Sequence, residues 1–337
     1  MDLELIRARY GLLSLTVASY VVAFGLAQIT GLKVDYAGVG RSAGYFVALL
    51  VVVGFYCHVR KLNAMTFVLE TVTCTLLLIV PVLVSTYLSI RVGMPTADAV
   101  LMSWDAALGL SWRGFIAFVD ARPLLAEILG LAYLSFSFQL LLIPVVLIAT
   151  GRPLRAYQMA IAYAVLCYIS SVISIWFPAL GAYVVYGVEP EQLTSINAYF
   201  SFFFLDQFNA LRTDPDFIFR MEEVAGILTF PSVHAAVAAL CAWAAWDLRF
   251  ARYPMMVINI LMAVAAVSHA SHYFVDVLAG GVVAGVSIVA VKRLTRGPNR
   301  SPVMENQALS QPRRDPFTNH DRTVCSRPDM DRPDLPL

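Results

Sequence analysis

His234 lies in the stretch GILTFPSVHAAVAAL, and His269, His272 and Asp276 lie in VSHASHYFVDVLAGG, so three of the five histidines of this 337-residue chain fall in two apolar stretches. Ionisable groups kept inside apolar spans are functional candidates by default. His272 and Asp276 are four residues apart and share one helix face. A carboxylate so placed accepts from one ring nitrogen, which fixes the tautomer and leaves the other nitrogen as a nucleophile or base. HxxxD is common in helices, and it is the apolar setting that gives this one weight. His234 follows Pro231-Ser232, and proline suits the first turn of a helix. The unpaired N–H groups of such a turn, with the helix dipole, favour an anion such as phosphate. Ser232 is either an N-cap or a phosphate ligand. His269, His272 and Asp276 lack an evident fourth metal ligand, so neither a metal nor a cofactor is expected.

The elements that must position these groups follow from composition. Apolar residues make up 59% of the chain and charged residues 14%, against about 25% charged in a soluble domain. Mean hydropathy is +0.71. Long unbroken apolar runs exclude a membrane barrel, whose segments alternate. Balanced charge, 24 Lys and Arg against 23 Asp and Glu, leaves no basic footprint for nucleic acid. The expected fold is an all-α polytopic membrane bundle with about eight spans, near 11–31, 43–59, 65–90, 124–150, 157–186, 231–248, 253–270 and 272–291. The first is read as a retained helix, since MDLELIRARY carries acids as well as Arg7 and Arg9. One helix separates the sixth span from the eighth, so their N-terminal ends share a membrane face and His234 and His272 can meet there.

Eight spans place twelve Lys and Arg, among them Arg60, Lys61, Arg152 and Arg155, on the side of the termini, and seven on the other. The positive-inside bias then puts both termini in the cytoplasm and 187–230 outside. Segment 92–123 reads as an amphipathic helix and turn on the outer surface, with Trp104 and Trp112 at headgroup level and Asp105 solvated, as is Asp206 further on. Residues 292–337 read as a cytoplasmic tail, disordered from 297, where seven of the 17 prolines fall; His320 and Cys325 in it are incidental. The other four cysteines sit in apolar runs as small hydrophobes.

FPSVHAA resembles the PSGH-type second motif of the type 2 phosphatidic acid phosphatase superfamily, and HYFVD resembles the end of its third motif. The FPS-x-H and HY-x-x-D-V forms look like its inositolphosphotransferase branch, typified by inositol phosphorylceramide synthase. NALRTDPDF, GILTFPS and SWDAALGLSW resemble bacterial members of that branch. The likeness spans roughly 100–290. It implies a six-helix catalytic core over 65–291, preceded by two helices in 1–64, in a bacterial inner membrane. The implied substrate is a membrane lipid phosphate or phosphodiester at the outer leaflet. By position, His272 would form a phosphohistidine, Asp276 would orient it, His234 would protonate the leaving oxygen and Ser232 would hold phosphate oxygens. The first motif, a Lys followed by Arg-Pro, is missing in that form, and Ala266 stands where the third motif carries Arg. Arg212, with His269 or Ser268, is the expected substitute. The implied activity is headgroup transfer or, alternatively, lipid phosphate hydrolysis without metal. A transporter or structural protein that kept the fold is the non-enzymatic alternative.

Overall fold

The computed structural model describes residues 2–296; the tail from 297, with His320 and Cys325, lies outside the described residues. The chain opens with α1 (Leu3–Thr30), closed by Gly31 in the left-handed conformation at φ 69°. A two-residue strand β1 (Lys33–Val34) and α2 (Tyr36–Val59), capped by Asp35, lead to α3 (Asn63–Arg91). Two short helices follow, α4 (Asp98–Ala107) and α5 (Trp112–Asp120). Next come α6 (Pro123–Ala149) and α7 (Pro153–Ser174), each started by a proline whose missing N–H costs nothing there. The outer segment carries α8 (Ala182–Tyr186), α9 (Tyr199–Phe202), α10 (Leu205–Thr213) and β2 (Ile218–Phe219), which pairs in parallel with β1. The last three helices are α11 (Val233–Ala245), α12 (Arg252–His269) and α13 (Phe274–Thr295).

This is an all-α polytopic helix bundle. Among the described residues, seven helices are long and apolar enough to cross a membrane: α1, α2, α3, α6, α7, α12 and α13. The expected sixth span is shorter than hydropathy implied. Helix α11 has 13 residues, or roughly 20 Å at about 1.5 Å per residue, against a hydrocarbon core of about 30 Å. It is short, central and buried, packing on α6, α7, α12 and α13, yet it still carries the chain from His234 to Asp247, which meets Arg155 near the start of α7, so the chain crosses the bundle eight times within the described residues. The expected fifth run divides, with α7 ending at Ser174 and α8 starting beyond Pro178. Segment 92–123 forms two helices and not one. Trp112 is fully buried, edge-on to Tyr183 at 4.8 Å and stacked on Tyr186 at 4.9 Å, which corrects the headgroup-level placement. Trp104 is exposed.

Polar pairs lock helices that apolar packing alone would let slide. Arg9 of α1 reaches Glu70 of α3 at 2.7 Å, and Glu70 also accepts from Tyr157 of α7. Gln139 of α6 accepts from Asn259 of α12 at 2.8 Å. The tightest approach joins α11 to α13. A Cβ on Gly280 would lie 2.3 Å from the Ser232 carbonyl and 3.1 Å from the Ala236 nitrogen, so backbone meets backbone. Neither atom can swing aside as a flexible side chain would.

Gly280→Ala should therefore lower the melting temperature in detergent, by overpacking worth roughly 1–3 kcal/mol. The adjacent Gly281 faces open space, and Gly281→Ala should be neutral or stabilising by about 0.5–1 kcal/mol. Equal losses in the two variants would exclude close approach as the cause.

Candidate functional site

The junction of α11 and α13 is also where the sequence-predicted residues gather. Ser232 caps α11, its Oγ accepting from Ala235 N at 3.3 Å. Its own N–H donates to the Asp276 carbonyl at 3.0 Å, which ties the two helix starts together. Asp276 Oδ2 faces His272 Nδ1 at 3.1 Å and accepts from Tyr273 N at 2.9 Å, so one carboxylate orients the imidazole and caps its own helix. Both side chains are buried. Burial holds the His272 imidazole, in the turn between α12 and α13, below its ordinary range; a backbone hydrogen bond to Thr229 opposes the shift without reversing it. Burial thus favours the neutral ring, the form that can act as a nucleophile.

The backbone that delivers His272 is over-determined. Ser271 adopts φ 62°, unusual for a residue with a side chain. Its Oγ accepts from Tyr183 N at 3.0 Å and its carbonyl from Ala182 N at 2.8 Å. Gly181, at φ 91°, leaves the room: a Cβ there would sit 2.5 Å from Ser271 Oγ. Asp98 accepts from Leu180 N at 3.1 Å, Gly181 N at 3.0 Å and the Tyr273 hydroxyl at 3.0 Å. Asp105 accepts from Phe274 N at 3.0 Å and Val275 N at 2.9 Å. It is 1% exposed, which corrects its reading as a solvated surface residue. Burial raises its carboxyl above the usual range, against the pull of those two N–H groups. Asp206, by contrast, is exposed as expected. Sequence reasoning missed Asp98 altogether; the only available signal was a second carboxylate in the same apolar TADAVLMSWDAAL stretch.

His234 stacks on Tyr133 of α6 at 4.2 Å and lies 4.7 Å from Phe136. His234 and His272 line one cavity of about 490 Å³, walled by α3, α6, α7 and the segments around 200–204 and 226–229. Leu134, exposed on α6, lines it too and gives it an edge on the outer surface of the bundle. Among the described residues, none of those lining it is Lys or Arg.

The structure thus brings His272, Asp276, His234 and Ser232 together at this junction, with only the two histidines among them lining the cavity, and leaves His269 and Arg212 apart. Ser232 is fully buried and is not among the residues lining the cavity. His269 turns to α6, with Nδ1 2.9 Å from Ser268 Oγ and Nε2 3.3 Å from where a Cβ on Gly130 would stand. Arg212 donates to the Met94 carbonyl at 2.9 Å and lies over Phe208 at 5.4 Å, outside the cavity lining.

Residues 99–290 match the model of one protein family, described as the PAP2 superfamily. No curated protein and no solved structure matches the chain.

Asp105→Ala would orphan two N–H groups under the His272 turn. Each buried orphan costs about 1–3 kcal/mol, so the melting temperature should fall. Whatever reaction the histidines perform should lose kcat roughly tenfold or more with KM little changed, because the turn loosens while the cavity walls stay. Asp105→Asn keeps one acceptor and should lie between. Unchanged kcat in a folded Asp105→Ala protein would rule out this support.

Proposed function

The chain belongs to the PAP2 superfamily, and on that premise we propose that it is a membrane lipid phosphotransferase working through a phosphohistidine on His272. The observation that carries the reading is the convergence of the His272–Asp276 pair and His234 on one apolar cavity. Helix α13 fixes the pair and the α11 start brings His234 to the same cavity.

In the proposed first step the free nitrogen of His272 attacks the phosphorus, and the bond from phosphorus to the leaving alcohol oxygen breaks. His234, protonated beside the incoming anion, gives that oxygen its proton. An opposite charge nearby favours the imidazolium even where burial disfavours it. In the second step an acceptor hydroxyl attacks the phosphohistidine, loses its proton to His234 and frees His272. Asp276 holds the His272 tautomer throughout and balances the positive ring.

The favoured substrate is a phosphodiester whose headgroup passes to a lipid hydroxyl, as in an inositolphosphotransferase. A diester carries one negative charge on its reacting phosphate and a monoester up to two. A cavity without Lys or Arg, with Ala266 at the position of the family's third-motif Arg, suits the lesser charge. Its apolar walls also keep water from the intermediate. Hydrolysis of phosphatidate or polyprenyl phosphate, with water as acceptor, is the second reading, and the family match is equally compatible with it. The proposed catalytic core runs from 65 to 291 after two further helices, needs no metal, and opens its site to the outer face with both termini cytoplasmic.

Purified protein given a phosphatidyl headgroup donor and a lipid hydroxyl should form the transfer product, with EDTA present or absent. Rapid phosphate release from phosphatidate or a polyprenyl phosphate, with no transfer from any diester, would leave the phosphatase reading standing. His272→Ala should lose at least roughly 10³-fold in turnover, and Asp276→Asn less. Wild-type turnover in a folded His272→Ala protein would overturn the phosphohistidine mechanism. For topology, Thr213→Cys in a background without native cysteines should label from outside intact cells; labelling only after access to the cytoplasm would reverse the orientation.

A further inference from the structure

The other end of the bundle carries a second concave site that the chemistry at His272 does not use. Helix α13 runs 22 residues from the His272 turn, roughly 33 Å at about 1.5 Å per residue. At its far end Lys292 and Arg296 face Arg152 and Arg155 from the start of α7 across a pocket of about 350 Å³. Glu4 and Asp247 also line it. Four cations less two carboxylates leave an excess of two positive charges.

This is more than a scatter of basic residues at helix ends. The four cations come from two segments far apart in sequence and converge on one hollow. Arg155 is held rigid there. Its Nε and Nη2 both donate to Asp247 Oδ2, at 2.9 and 2.6 Å, and its guanidinium lies 4.0 Å over the Trp243 ring. Its third nitrogen, Nη1, is buried with no hydrogen-bond partner, a state that native proteins rarely leave uncompensated. Arg152 gives one nitrogen to the Thr150 carbonyl at 3.0 Å. Lys292 is exposed and makes no ion pair among the described residues. The first turn of α7 has no side-chain cap and adds its positive dipole end to the same hollow.

We propose that this pocket binds a phosphate-bearing anion, and that in the membrane the anion is the headgroup of an anionic phospholipid in the leaflet opposite the histidines. A phosphate has the size and charge for the hollow, and one of its oxygens would take the unpartnered Nη1 of the pinned Arg155 while Lys292 and Arg152 close over it. Such a lipid would clamp the start of α7 to the end of α13, the two long helices that flank α11. The inference is independent of the reaction proposed for His272.

The test is thermal unfolding of the full chain in a neutral detergent, with phosphatidylglycerol, phosphatidylcholine or sodium phosphate against sodium chloride at matched ionic strength. Phosphatidylglycerol at a hundredfold excess over its Kd should raise Tm by about 5 °C over phosphatidylcholine. The Arg152→Gln, Lys292→Gln double variant should lose most of that rise. A variant-sensitive rise with sodium phosphate alone would support the anion site with a free ion as its source. If the double variant proves unstable, native mass spectrometry of Lys292→Gln, an exposed position, should find several-fold fewer phosphatidylglycerol adducts than wild type. No rise with either phosphate source, or a rise and adduct count kept in full by the variants, would overturn the proposal.

Discussion

A carboxylate buried to zero exposure beside a buried imidazole is the constraint on which the rest depends. Removing such a charge from water costs several kcal/mol unless its environment is built to compensate. Asp276 is compensated on one oxygen, by Tyr273 N and His272 Nδ1, while its Oδ1 is buried with no hydrogen-bond partner among the described residues; the Tyr273 contact requires a helix to begin at that point. The helix start in turn must hold its position. Asp105 secures the next two N–H groups, and Asp98 holds both the Tyr273 hydroxyl and the backbone at 180–181, which leads into the Ala182 and Tyr183 N–H groups that brace Ser271. The short helix α4, which spans nothing, is thereby the footing of the His272 turn. The same logic explains Gly280: the N–H of Ser232 can reach the Asp276 carbonyl only if α11 and α13 approach to backbone contact.

The parts of this arrangement that were legible in the sequence are those with local spacing. His272 and Asp276 are brought within reach by being four apart, although His272 lies in the turn before α13 and not on a helix face as expected, and the long spans declare themselves by hydropathy. His234 is marked by the proline and serine before it. The parts that were not legible depend on partners distant in sequence. Asp105 meets N–H groups 169 and 170 positions away, and backbone donors leave no trace in side-chain pattern. With no such partner in view, a carboxylate between two tryptophans in a short amphipathic helix reads as a surface charge. Trp112 misled for a related reason: the aromatic-belt tendency is real, but packing edge-on to Tyr183 and stacked on Tyr186 buries this ring inside the fold. Helix α11 shows the limit of hydropathy, since an apolar run signals burial equally well in lipid or in protein.

The cavity's electrostatics follow from the same construction. A free helix N-terminus is an anion site, and two helices start beside the histidines. The α13 start is largely occupied from within, and the α11 start in part. Asp276 and Asp105 take Tyr273 N, Phe274 N and Val275 N, and Ser232 takes Ala235 N. With Arg212 engaged at Met94 and no Lys or Arg among the lining residues described, the positive ends of α11 and α13 offer a phosphate less than their position suggests. On the proposed reading, the charge that meets an anionic substrate then has to come from the imidazoles. His234, between two aromatic rings in an apolar chamber, is costly to protonate when the chamber is empty and far less costly when an anion lies beside it. Substrate charge and His234 protonation are therefore coupled, and the coupling favours an anion of single charge: one proton taken up by one histidine neutralises it, whereas a dianion would leave an unpaired charge in a low-dielectric site.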